Sequence, residues 1–87
     1  MFSVIWSRIE GLAGHEFKTK RGLRFSYHVE GNSLLPSRTD YRISREDFHR
    51  AFQLAPLPGP GAINDLVRGP AYVWSILHDI RVSRGLW

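Results

Sequence analysis

The side chains of this chain that could act chemically on their own are four histidines, His15, His28, His49 and His78, and eight carboxylates scattered among twelve basic residues. Imidazole serves as a metal ligand or as a proton carrier near neutral pH. A zinc site would require histidines or cysteines at spacings of roughly three to five residues. No two of these histidines stand so, no His-Glu-x-x-His run occurs, and there is no cysteine. Each histidine is therefore expected to be structural or exposed, with no metal and no cofactor.

Glu16-Phe17-Lys18 has the Glu-x-Lys form used by metal-dependent nucleases, a match worth weighing in a basic chain. Such a site also takes a carboxylate from a preceding strand to share its metal. Here the only preceding acid is Glu10, in a stretch with helical spacing. No Gly-x-Ser-x-Gly elbow exists, nor a glycine-rich phosphate loop leading into Lys-Ser or Lys-Thr. Gly59-Pro60-Gly61 is filled by proline and has too few amides to cradle a phosphate. The acids mostly neighbour arginines and read as surface pairs. The expectation is a protein that is not an enzyme, with no small-molecule substrate evident.

What remains is positive charge. Lys and Arg exceed Asp and Glu by twelve to eight, for a net charge of +4, and ten of the twelve are Arg. The guanidinium fork grips phosphates and carboxylates and stacks on bases, so this bias suits an anionic partner. A charge of this size also serves solubility alone. Its placement is more telling than its sum: the cations concentrate from Lys18 to Arg24 and from Arg38 to Arg50.

The elements that must position those cations follow from periodicity. Phe2, Ile5, Trp6, Ile9 and Leu12 lie on one face of a helix over 2–13, which ends at Gly11 and Gly14. From His15 the period changes to two. Phe17, Thr19, Leu23, Phe25, Tyr27 and Val29 alternate with polar residues, which predicts a hairpin with one buried face. Lys20-Arg21-Gly22 suits a three-residue turn with glycine in the left-handed region, and sets Phe17 opposite Phe25. A third, irregular strand follows Gly31-Asn32-Ser33, interrupted by Pro36 before it resumes at Thr39–Ile43, the proline arguing for an edge strand or a break.

Ser44 opens a helix over 44–55 through the Ser-x-x-Asp cap with Asp47, stapled by Ile43 and Phe48 and buried along Phe48, Ala51, Phe52 and Ala55. Residues 56–61, with three prolines and two glycines, read as a stiff loop crossing the core, and 62–68 as a short helical turn. Pro70 starts a last helix over 71–80 with Val73, Ile76, Leu77 and Ile80 on its stripe, a strand being the rival reading of Tyr72-Val73-Trp74. The tail 81–87 is expected to be partly loose. The sum is one small α+β domain over 1–87: an N-terminal helix, a three-stranded antiparallel sheet made of the hairpin and an irregular third strand, and two C-terminal helices packed on one face. No run of eighteen apolar residues occurs, and 1–8 lack the pattern of a signal peptide. With no cysteine, the expected compartment is the reducing cytoplasm, with no membrane partner.

Two binding readings compete. In the first, the polar face of the hairpin presents Lys18, Lys20, Arg21 and Arg24 to nucleic acid, with Arg42, Arg45 and Arg50 adding phosphate contacts from the third strand and the following helix. A two-stranded ribbon of this width can enter a major groove. Phe25 and Tyr27 resemble stacking platforms, but parity assigns them to the core; Glu16 and Glu30 dilute the outer face. A helix-turn-helix fits poorly, since about fifteen residues would separate its helices where three or four are usual. In the second reading the protein is an interaction or homodimerising module. Trp6, Leu34, Leu35, Tyr41, Leu57, Tyr72, Trp74, Leu86 and Trp87 are more apolar bulk than a small core readily hides.

Overall fold

The apolar stripe at the start of the chain becomes α1 (Phe2–Gly11) in the computed structural model, which describes residues 1–87. Phe2, Ile5, Trp6 and Ile9 are all buried, and Leu12 packs beside them half-buried. The chain then forms β1 (Phe17–Lys18) and β2 (Arg24–Phe25), paired antiparallel with Phe17 opposite Phe25 and Lys18 opposite Arg24. The pairing extends to the tip through Thr19 N–H on the Leu23 carbonyl at 2.9 Å. Gly22, at a φ of 89°, supplies the left-handed residue that a three-residue hairpin with a bulge requires.

Beyond Phe25 the strand changes partner. A continuous hairpin over 15–30 is expected from the alternation, but Ser26 bonds Ser37 on both sides and the chain goes on as β3 (Tyr27–Glu30). β3 pairs with β4 (Ser33–Pro36), and β4 with β5 (Ile43–Ser44), giving an antiparallel three-stranded sheet in the order β3-β4-β5. The reason is that the chain ahead of β1 is already turning out of α1, so it has no extended residues to offer Tyr27 and its successors. Gly14 N–H alone reaches back, to the Tyr27 carbonyl at 3.0 Å. Gly31-Asn32 then closes a tight second hairpin, with Gly31 at a φ of 58° in the first turn position, where a II′-type turn places glycine.

Pro36 therefore ends the central strand of this sheet: of the two expected outcomes, an edge strand or a break, the chain takes the break. Opposite Tyr27 it sits at a position whose N–H would point toward the β5 flank. β5 is too short to reach it, so no ladder bond is lost. Leu23 is also corrected: the hairpin tip projects past the core and leaves it 43% exposed.

Ile43 leads directly into α2 (Arg45–Leu54), where Ser44 Oγ accepts from Asp47 N–H at 3.1 Å. Asp47 does not complete a reciprocal cap. Its buried carboxylate instead takes the Arg68 N–H at 3.1 Å and pairs with Arg50. The helical turn expected over 62–68 is displaced to a 3-10 turn at Pro60–Ile63, and α3 (Pro70–Leu77) settles the last apolar segment as helix. α3 stops at Leu77 and leaves Ile80 69% exposed, off the expected stripe. A new cap at Asp79 starts α4 (Ile80–Ser83), so the tail is not loose: Val82 and Ser83 are buried and Arg8 donates to the carbonyls of Val82 and Arg84, each at 2.8 Å. One hydrophobic cluster draws side chains from all these elements, with α1 against α2 and α4 and α3 against α2 and β1. The result is a mixed α+β fold, with an N-terminal helix, a three-stranded antiparallel sheet and C-terminal helices.

Two buried polar groups tie distant segments together. Tyr27 Oη donates to the Ile9 carbonyl at 2.6 Å, and its burial pushes the phenol pKa above its ordinary range. His78 accepts from Leu57 N–H through Nε2 at 2.9 Å, while its Nδ1 lies 3.0 Å from the Trp74 carbonyl. A carbonyl only accepts, so Nδ1 bears the proton and the ring is neutral. Burial holds the imidazole below its ordinary pKa of 6.5, against the raising effect of the Trp74 bond.

Tyr27→Phe removes one hydrogen bond and is expected to destabilise by about 1 kcal/mol, lowering the melting temperature by roughly 4–8 °C in a scanning calorimeter. For His78, the folded pKa lies below the unfolded one, so the unfolded chain takes up the proton first. Stability is then full above pH 6.5 and declines as the pH falls below it. The urea midpoint should drop between about pH 7.5 and pH 5.5, and His78→Phe should reduce that drop.

Candidate nucleic-acid interface

Pleating assigns the two faces of the β1-β2 hairpin. Phe17 and Phe25 turn inward, their ring centroids 5.9 Å apart, so Lys18 and Arg24 turn outward. The hydrogen-bonded pairs are those of Thr19 with Leu23 and of Phe17 with Phe25. Lys18 and Arg24 thus form the non-hydrogen-bonded pair between them, in which side chains come closest. Two cations facing each other across a strand pair oppose folding. One carboxylate tempers them, Glu16, 3.8 Å from Arg24 with both side chains well exposed.

The tip adds Lys20 and Arg21. Lys20 folds back over the proline-glycine loop, its Nζ donating to the Pro58 carbonyl at 3.1 Å and lying 5.8 Å from the centre of the Trp74 ring. Arg21 extends into solvent. A fifth cation joins from outside the hairpin, since Arg38 donates through Nε to the Arg24 carbonyl. Sequence spacing does not place Arg38 there. It arrives because Ser37 pairs with Ser26, a consequence of the strand changing partner.

The other three expected contacts have structural occupations. Arg42 pairs with Glu30, both exposed. Arg45 lies over the rings of Phe2 and Trp6, at 5.1 and 5.9 Å from their centres. Arg50 pairs with Asp47. These three stand on or beside β5 and α2, apart from the sheet that carries Lys18, Lys20, Arg21 and Arg24. Arginine at the far end of the hairpin is likewise committed: Arg81 binds Asp79 at 2.8 Å, donates to the Glu16 carbonyl at 2.9 Å and covers the Phe17 ring at 4.2 Å. Its pKa is raised by the bond to Asp79, whose own carboxyl is held below the ordinary range by Arg81.

Beside the tip runs a groove of about 540 Å³, bounded by Thr19–Leu23 on one side and by Pro60, Ala71 and Tyr72 on the other. A shallower hollow continues from it along Pro58–Ala62 and shares Lys20, Arg21 and Pro60. Tyr72 is half-buried, set edge-to-face against Phe25 at 4.9 Å. Helical periodicity reads Tyr72 only as flanking the α3 stripe, and nothing in it shows that the hairpin tip arrives opposite.

The histidines do not assemble. His49 stacks on Phe2 at 4.6 Å, His78 is bonded on both nitrogens, and His15 and His28 are exposed. No helix is long and apolar enough to cross a membrane. Compared with protein-family models, with curated proteins and with solved structures, the chain has no match.

Lys18→Glu turns a like-charged cross-strand pair into an attractive one. It is expected to raise stability by about 0.5 kcal/mol, measured by urea denaturation at low salt, with the gain fading as salt is added.

Proposed function

We propose that this protein is a non-enzymatic binding module that takes the backbone of a nucleic acid on its β1-β2 hairpin. The observation that carries this reading is the outer face itself. Lys18, Lys20, Arg21, Arg24 and Arg38 converge on one hairpin with Glu16 as the only carboxylate, and Lys18 faces Arg24 at a cost to stability. A polyanion relieves that repulsion by placing phosphates among the cations and releasing its counterions. Lys18 and Arg21, which have no ion-pair partner, are the groups most available for it.

Self-association has less support. Trp6 and Leu34 are buried, and Tyr41, Leu57, Tyr72, Trp74 and Leu86 are packed against the core, so most of the apolar surplus has an internal place. Trp87 is still 36% exposed, though it touches Phe52 and His78.

Fluorescence anisotropy with labelled oligonucleotides tests the proposal. Affinity should fall on the order of 100-fold between about 50 and 200 mM salt, the loss expected for about four phosphate contacts. The double variant Lys18→Glu and Arg21→Glu should abolish binding while leaving the fold intact. No binding at about 50 mM salt would refute the reading.

A further inference from the structure

We infer that the groove beside the hairpin tip receives an unpaired base, which makes the ligand a single strand rather than a duplex. The inference rests on the backbone-binding reading and names its substrate class. Three features converge on the groove. Its volume, about 540 Å³, falls within the range of sites that hold small organic ligands, roughly 300–1,000 Å³.

Its walls are apolar where a planar ring would lie. Leu23 is offered by the hairpin while 43% exposed, and Pro60, Ala71 and Tyr72 stand opposite. An aromatic side chain beside a slot of this kind stacks on any base, because every base has a π-face. The charge sits at the rim, where Lys20 and Arg21 border both the groove and the hollow that continues it. A base seated against Tyr72 thus leaves its phosphates to those two cations, and the chain on either side passes over Lys18 and Arg24.

The tip is also ordered before any ligand arrives. Thr19 Oγ1 accepts from Leu23 N–H at 3.0 Å, Gly22 N–H donates to the Thr19 carbonyl at 2.9 Å, and Lys20 is anchored to Pro58. Duplex bases are stacked and paired and cannot enter such a slot without being flipped out.

The decisive comparison uses the intact protein with three probes of equal length: oligothymidylate, the same sugar-phosphate chain without bases, and a duplex. Backbone contacts alone bind the first two equally. A seated base makes oligothymidylate bind about 10-fold tighter than the abasic strand. Tyr72→Leu, which keeps an apolar contact for Phe25, should erase that difference while leaving abasic binding unchanged. Leu23→Ser, at an exposed position, should shrink it. Equal affinity for thymidylate and abasic strands, or preference for duplex, overturns the inference and leaves the backbone reading standing. Parallel loss of abasic binding in Tyr72→Leu also overturns it, and binding of no probe removes both.

Discussion

The backbone of Leu57 is held at both of its polar groups by two side chains one turn apart, Trp74 on α3 and His78 at the helix's C-terminal cap. His78 accepts its N–H at 2.9 Å and Trp74 Nε1 donates to its carbonyl at 3.0 Å. This matters because residues 55–69 cross the molecule with only one 3-10 turn and include three prolines without N–H groups. A segment of that kind has no ladder: short turns satisfy some of its amides, and the others must find a side chain or water. The arrangement continues beyond Leu57: Lys20 serves the Pro58 carbonyl and the Asp47 carboxylate serves Arg68 N–H. Since the same loop walls the groove and receives the hairpin tip, the geometry of the candidate interface depends on these bonds.

A second consequence concerns the arginines. Total charge overstates what is free to act, because the fold uses guanidinium groups as connectors. Arg8 satisfies carbonyls at the end of α4, Arg81 joins α4 to β1, Arg68 lies over Tyr41 at 4.6 Å and Arg45 covers α1. Lysine would serve poorly in such places, having no planar fork to meet two acceptors and a ring at once. Lys18 and Arg21 on the outer hairpin face stand out by contrast, since neither has an ion-pair partner.

Much of the local structure was legible in the residues. The α1 stripe, the Phe17-Phe25 register, the Gly22 turn, the Ser44 cap and the Pro70 start each depend on neighbours in sequence, and each is found. The four hairpin cations were legible for the same reason, since alternation alone sets the face on which Lys18 and Arg24 project. Where the reading departed from the structure, a long-range choice intervened. Ser26 leaves one partner for another, Leu23 overshoots the core, and Ile80, which the spacing places on the preceding stripe, begins a helix capped by Asp79.

Local periodicity and capping chemistry thus determined which segments become helix or strand and which side of the hairpin is charged, because those outcomes are governed by interactions a few residues apart. Tertiary structure alone decided that Arg38 joins the hairpin cations, that Arg42 and Arg45 are occupied elsewhere, and that Tyr72 faces the hairpin tip across a groove. These juxtapositions bring together residues far apart in the chain. They arise from burying one shared core and from the side-chain bonds that hold the crossing loop, and no local pattern in the sequence encodes that.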